Sequence, residues 1–311
     1  MINYKKGVPF EASVCAITRE EPHFHSASAE FVLCLKGSVT VCAGNLQAVL
    51  KQGEILSMDF RDVHYLYSDE PNLVLIFHLE LRNLPVPWES IQCMFLSCDS
   101  MNVNPHQKEH LNYVISTILS LSRFYMKYDP ADDLPPGFDN AVKQFTETLY
   151  YHFNAFAVHK PDNYVNEELS TRFHNIIRYC FDHSKEKISA AQLAEQEHIS
   201  RTYLSQFMSS LNWANTFKDI VNYIRCYEAE QYLLLTDKTN LEICYECGFS
   251  DPKYYYSAFR KIWGCTPSEH RNRVRKYMEH EKKIKYLSTR SSLARLNAFS
   301  AEWHMNQTFE R

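Results

Sequence analysis

Along residues 12–81 the apolar and polar positions change in short runs punctuated by glycine. The runs "SVCAIT", "FVLCLKGSVTVCA", "LQAVLKQGEILSM" and "VLIFHLEL" are β-rich, and Gly37, Gly44-Asn45 and Gly53 stand between them as turn signals. Many short strands with close turns predict a barrel or sandwich. Pro85 and Pro87 end the pattern, because proline cannot donate to a ladder. From about residue 106 the period lengthens. Leu111, Val114, Ile115, Ile118, Leu119 and Leu121 fall near helical spacing. "KYDPADDLPPGFDN" breaks this helix, and "AVKQFTETLYYHFNAF" predicts a second. The polar "VHKPDNYVNEE" reads as a linker, and the chain then reads as helical to about residue 278. Beyond residue 286, "STRSSLARLNAF" is compatible with either helix or disorder.

Within the helical half, two stretches share one pattern. In the first, Ser189 and Ser200 can each cap a short helix. Tyr203, Leu204, Phe207 and Leu211 give the second of these helices an apolar face. Its opposite face carries Arg201, Thr202, Ser205, Gln206 and Ser209. Two short helices with a tight turn and a polar outer face predict a helix-turn-helix. "TFKDIVNYIRCYEAEQYLLL" predicts a long buried helix after it. The pattern then returns: Asn240 as a cap, Gly248 in the turn, and Ser250 as the next cap with Pro252 in the first turn. Tyr255, Phe259 and Trp263 should pack inward, while Lys253, Tyr256, Ser257, Arg260 and Lys261 face outward. Cys244-x-x-Cys247 lies at core spacing on a helix with no second Cys or His pair beside it, so it is read as packing.

Charge adds to this division. The 311 residues, about two domains' worth, carry a net −4. Residues 1–170 hold 12 Lys+Arg against 21 Asp+Glu (net −9), and residues 171–311 hold 21 against 16 (net +5). An acidic first half and a basic second half fit a sensor joined to a part that binds a polyanion. The apolar runs are too short to span a bilayer, and "MINYKKGVPF" lacks the apolar core of a secretion signal. Ten scattered cysteines then read as reduced thiols in a cytoplasm.

The second helical pattern leads to a resemblance. "CGFSDPKYYYSAFRKIWGCTPSEHR" resembles the signature of the AraC/XylS family of transcription regulators, approximately G-F-x-D-x-x-Y-F-x-x-x-F-K-x-x-x-G-x-T-P-x-x-Y-R. Gly248, Phe249, Asp251, Tyr254, Phe259, Gly264, Thr266, Pro267 and Arg271 match it, while Tyr255, Arg260 and His270 replace the usual Phe, Lys and Tyr. The resemblance implies two helix-turn-helix units on one long helix, each placing its second helix in a major groove of double-stranded DNA. By position, Thr202, Ser205 and Gln206, then Pro252, Lys253, Tyr256 and Ser257, match the family's base-reading residues. Pro252 has no side-chain donor to offer a base. Arg201, Lys253, Arg260 and Lys261 suit phosphate contacts. Met208-Ser209-Ser210 stands where the family often carries Lys-Lys.

A second resemblance covers about residues 8–81. His23, His25, Glu30 and Gly37 hold the spacing of the first cupin motif. Gly53 and His64 hold that of the second, with Asp59 and Arg61 replacing its Pro and Gly. His23, His25, Glu30 and His64 could surround one divalent ion. The preferred reading, which the AraC/XylS resemblance implies, is instead a metal-free pocket for a small effector, a sugar or oligosaccharide. Those four residues would line it together with Phe24, Phe31 and Tyr65. The metal cage, as in a cupin enzyme, is the alternative, and a purely structural role for the histidines is a third reading.

The expected molecule is thus α+β. It has a cupin-like barrel over 1–95, a helical connector or dimerisation region over 96–165, a DNA-binding domain over 166–275 and a basic tail over 276–311. It is expected to be no enzyme, to need no cofactor and to bind no membrane. The family resemblance implies a homodimer that activates transcription through contact with RNA polymerase.

Overall fold

The computed structural model describes residues 2, 4–84, 95–154, 167–210, 216–279, 281 and 283–309. Pro85, Pro87, Leu211 and most of the linker read at 158–168 lie outside them. The chain divides into two compact units. One comprises Met1–Trp88, Phe95–Ala155 and His280–Arg311; the other comprises Glu89–Met94 and Phe156–Glu279.

The first unit is built on seven strands in its N-terminal part: β1 (Phe10–Arg19), β2 (Ser28–Lys36), β3 (Ser38–Ala43), β4 (Leu46–Lys51), β5 (Ile55–Met58), β6 (His64–Tyr67) and β7 (Leu73–Glu80). They form one antiparallel sheet in the order β4-β3-β6-β1-β7-β2-β5. Alternation along each strand sorts the side chains between two faces. Cys15 and Ile17 of β1, Val32 and Cys34 of β2, and Val74 and Ile76 of β7 meet Val39, Val41, Leu50, Leu56, Met58 and Leu66 in one buried interior cluster. This curled sheet is the barrel that the glycine-punctuated runs predict. At the β2–β3 turn Gly37 has φ +73°, and a Cβ there would stand 2.3 Å from the Pro71 carbonyl oxygen, so a side chain is excluded on both counts.

The outer face of the sheet is aromatic, and two helices cover it. Phe10 stacks on Phe77 at 5.3 Å between ring centres, and Phe31 meets Phe145 at 6.2 Å. Phe145 belongs to α2 (Phe138–His152), which follows α1 (Lys108–Lys127). Phe124 of α1 also reaches Phe10, at 6.5 Å. The region read as a connector therefore contains helices whose apolar faces complete the barrel unit. The reason is the outward row of Phe10, Phe31 and Phe77, which must be covered.

The last residues differ more from the expectation. Instead of a basic tail, the chain forms β8 (Lys283–Tyr286) and a long helix, numbered α10 in chain order (Thr289–Phe309). β8 pairs antiparallel with β1 over Cys15–Arg19, and Ile284 packs against the barrel core. Leu296 and Phe299 of α10 are buried. β8 thus covers a strand edge that would otherwise expose unpaired backbone groups.

The second unit is helical among its described residues: α3 (Glu167–Asp182), α4 (Ala190–Gln196), α5 (Arg201–Ser210), α6 (Phe217–Leu235), α7 (Asn240–Glu246), α8 (Pro252–Trp263) and α9 (Pro267–Met278). Cys226, Ala229 and Leu233 of α6 pack against Ile243, Cys244, Cys247, Phe249, Tyr255, Phe259 and Trp263. Both cysteines of the C-x-x-C pair are buried free thiols in this core. No helix among the described residues is long and apolar enough to cross a membrane.

Candidate functional site

In the helical unit, capping fixes where each short helix starts. Ser189 closes a capping box with Gln192 on α4, and Ser200 accepts from the Tyr203 amide to start α5, as expected. In the second pair the caps sit one residue away from the expected ones. Thr239, boxed with Glu242, caps α7 in place of Asn240, and Asp251, accepting from the Lys253 amide, caps α8 in place of Ser250. The two turns share a left-handed residue: His198 with φ 53° in the first, Gly248 with φ 77° in the second. A Cβ on Gly248 would lie 2.7 Å from the Lys185 Cα, so glycine is required there by packing as well as by conformation.

The polar face read for α5 is exposed. Arg201, Thr202, Ser205, Gln206 and Ser209 all reach solvent, with Leu204 and Phe207 buried. Met208 is buried at 1% exposure, so the place where the family often carries lysine is here a core position. Tyr203, expected inside, is 37% exposed, and Arg172 of α3 donates to its hydroxyl at 2.7 Å. On α8, Lys253, Ser257, Arg260 and Lys261 are exposed. Tyr256, expected outside, is half-buried against the core, and the Asn240 amide donates to its hydroxyl at 3.1 Å. Tyr254 is exposed instead, at 57%. Lys261 forms an ion pair with Asp219 at 2.6 Å; such an exposed pair is worth little and opens readily to another anion. Two arginines are committed to the fold. Arg225 donates to the Ser184 and Glu186 carbonyls, and Arg271 to those of Leu233 and Lys238.

In the barrel unit, register brings together residues far apart in sequence. His23 and His64 exchange backbone hydrogen bonds at 3.0 and 2.9 Å. Glu30 of β2 lies directly opposite His78 of β7. Its carboxylate is 1% exposed, and four imidazoles converge on one oxygen. From Glu30 Oε2, Nε2 of His25 and of His78 lie at 3.0 Å, of His64 at 3.3 Å and of His23 at 3.7 Å. Glu30 Oε1 is buried with no hydrogen-bond partner. One potential donor atom from each of His23, His25, Glu30 and His64 falls within 4.8 Å of all the others. The four residues singled out by motif spacing therefore do meet.

The aromatics expected beside them do not. Phe31 sits on the opposite face of β2 from Glu30, packed on Phe77 and Phe145. Alternation places Tyr65 on the other face of β6 from His64. Phe24 is 37% exposed. His78, which the sequence reading missed, belongs to no motif. Its only sequence signal is an imidazole following the apolar run Leu73–Phe77 at an inward strand position.

The orientation of the rings limits what the cluster can hold. His23 Nδ1 lies 2.9 Å from the Glu21 carbonyl oxygen, and His64 Nδ1 lies 2.8 Å from that of Asp62. A carbonyl only accepts, so each Nδ1 carries the proton, and each neutral ring then turns an Nε2 lone pair toward Glu30. Burial works against charge on Glu30, yet His64, the nearby His23 and the hydrogen bond of His25 hold its carboxyl well below the usual range. Burial also opposes charge on His23, but the Glu30 carboxylate 3.7 Å away pushes it up to about 9. Lone pairs converging on a carboxylate need positive charge between them, from protons or from a metal ion. Three imidazoles and one carboxylate, with two rings oriented by carbonyls behind them, make a donor set that suits a divalent ion. Metal–ligand bonds are about 2.0–2.2 Å, so binding would draw the four donors inward.

Comparison with known proteins points to the helical unit. The family described as "Helix-turn-helix domain" matches residues 193–273. An uncharacterised HTH-type transcriptional regulator of Staphylococcus aureus is 20% identical over 240 residues, covering 76% of this chain and 30% of the relative. The chain therefore spans less than a third of that relative's length. The HTH-type transcriptional activator RhaS of Mannheimia succiniciproducens is 28% identical over 134 residues, 42% of this chain and 49% of the relative. Among solved structures, unsaturated fatty acid-bound ToxT of Vibrio cholerae is 14% identical with a TM-score of 0.42, covering 87% of this chain and 97% of its own. Paired caps, a left-handed residue in each turn, one long helix between the units and the match over 193–273 agree with the sequence signature: residues 193–273 are a helix-turn-helix domain similar to those of AraC/XylS transcription regulators.

Proposed function

We propose that this regulator reads promoter DNA with α5 and α8 and that a divalent metal ion in the barrel controls it. Support for the DNA half is the exposed polar face of α5 and the exposed Lys253, Ser257 and Arg260 on α8. Gln206 can pair bidentately with adenine, whereas Arg260 suits a phosphate. Gln206→Ala should relax base preference at one site position at a cost of about 1–3 kcal/mol. Arg260→Ala should weaken all sequences alike and flatten the salt dependence. Binding assays against single-base operator variants at several salt concentrations separate the two; identical profiles would contradict the assignments.

The single observation carrying the sensor reading is the convergence of imidazole nitrogens on Glu30 Oε2 with two Nδ1–H groups tied to carbonyls. His23, His25, His64 and Glu30 would hold the ion, which would take the place of the protons between the imidazole Nε2 atoms and the Glu30 carboxylate. Without Phe31 or Tyr65 on the inner face, little of the expected aromatic lining for a sugar remains. A sugar effector, a homodimer and activation through RNA polymerase are what the family resemblance adds, and a cytoplasmic location is what the scattered cysteines imply. Ligand binding would act by shifting the population of DNA-binding arrangements. Protein purified without chelator should contain close to one divalent ion per chain. Chelation, or the double variant His23→Ala/His25→Ala, should remove the ion and change operator affinity at least several-fold. A metal-free preparation, stabilised by a sugar and indifferent to chelator, would refute the metal reading in favour of the polyol pocket.

A further inference from the structure

Glu11, His78 and Glu30 form one rung across three neighbouring strands. Glu11 on β1 lies opposite His78 on β7, and His78 lies opposite Glu30 on β2. Directly opposite residues share a face, so the three side chains stand in line inside the barrel. His78 Nε2 is 3.0 Å from Glu30 Oε2, and its Nδ1 is 3.7 Å from Glu11 Oε2. The rung runs from a half-open end to a sealed one: the side chains are 23% exposed at Glu11, 12% at His78 and 1% at Glu30.

His78 differs from the two motif histidines in what its far nitrogen does. In His23 and His64 the Nδ1 proton is held by a backbone carbonyl, so Nε2 is the nitrogen that each can offer an ion. His78 Nδ1 has no hydrogen-bond partner. No carbonyl forces its proton away from Nε2, and that nitrogen can donate to Glu30. His78 also lies outside the group of four whose donor atoms all fall within 4.8 Å of one another. A carboxylate ligand with two equivalent oxygens needs something to fix which oxygen faces the ion and at what angle. We propose that His78 is the positioning residue of the metal site: it donates Nε2–H to Glu30 and holds that carboxylate ready for the ion without binding the ion itself, while the Glu11 carboxylate, 3.7 Å from Nδ1, adds negative charge beside the ring without a hydrogen bond.

This assignment rests on the metal reading above, and cobalt(II) titration of the full chain tests the two separately. The d–d absorption of bound cobalt reports the number and kind of its ligands. His64→Ala removes a ligand, so it should alter the absorption pattern and abolish tight binding. His78→Ala should weaken cobalt binding about 10–100-fold, the effect typical of losing a residue that orients a ligand, with band positions unchanged. His78→Gln, whose amide can still donate to Glu30, should recover much of the loss. Glu11→Gln should weaken binding less, and add little on top of His78→Ala. Altered bands in His78→Ala would make His78 a ligand and overturn the proposal. Unchanged affinity in His78→Ala beside tight binding by the unsubstituted chain would overturn it too. No cobalt binding by the unsubstituted chain would remove the metal reading, and this assignment with it.

Discussion

A chain ended at Glu279 should lose most of the stability of its barrel unit. The deletion removes β8 and α10, so the backbone of β1 over Cys15–Arg19 loses its antiparallel partner. It also removes Leu296 and Phe299, which are 0% and 6% exposed, and Ile284 from the edge of the barrel core. Full burial of a side chain contributes about 1.5–3 kcal/mol, so Leu296 and Phe299 contribute roughly 3–6 kcal/mol, and the partly buried Ile284 adds a smaller share. Whole domains are stable by only about 5–15 kcal/mol. The polar bond from Arg123 to Ser300 is lost as well. The bare β1 edge would in addition be a template for intermolecular pairing. Thermal unfolding and limited proteolysis of the shortened chain should therefore show a melted or aggregating barrel. A barrel transition within a few degrees of that of the full chain would show that the last residues are an accessory after all.

Within the DNA-binding unit, the largest single-site effect is expected at a pair that the family signature does not contain. His270 of α9 donates from Nε2 to Glu230 Oε1 of α6 at 2.7 Å, and both side chains are 2% exposed. Arg273 donates to the other ring nitrogen at 2.8 Å, which leaves the Nε2 proton for Glu230. The imidazole also stacks parallel to Trp263 at 6.4 Å. His270→Ala would leave the Glu230 carboxyl buried without its partner, and breaking such a pair costs about 3–5 kcal/mol. Replacing both groups, as in Glu230→Leu/His270→Phe, removes the desolvation problem and should recover most of the loss. Denaturant unfolding of the three proteins, together with operator binding, measures this. A His270→Ala protein within about 0.5 kcal/mol of the parent would mean that the site relaxes or admits water. The same pair has a pH signature. Burial pushes the Glu230 carboxyl up, against the pull of His270. A raised carboxyl favours the folded state below its ordinary value, and that contribution is lost as pH rises through the raised value. Glu230→Gln should therefore flatten the stability profile in that interval.

Much of the helical unit could be read from local patterns. Apolar spacing located α5, α6 and α8, and Gly248 marked a turn that backbone geometry reserves for glycine. Caps were misplaced by one residue because Thr239-Asn240 and Ser250-Asp251 each offer two adjacent side chains able to cap. Tyr203 and Tyr256 changed sides because a tyrosine is half apolar, so its place follows whichever hydroxyl partner the neighbouring helix supplies. In the barrel, motif spacing identified four residues that do meet, but it put Phe31 and Tyr65 on the wrong face. Neighbours one apart on a strand point to opposite sides, so Phe31 cannot share a face with Glu30.

By itself the sequence determined the two folded halves, the paired helix-turn-helix and the histidine–glutamate set, because each is written in spacings of a few residues that local geometry converts directly into a shared face. Only the tertiary structure decided that His78, 48 positions beyond Glu30, belongs beside it, and that a four-residue run near the C-terminus returns to β1. Both depend on strand register between distant segments. Backbone hydrogen bonds form such pairings with almost any side chain, so "KIKY" carries no local pattern that announces its partner.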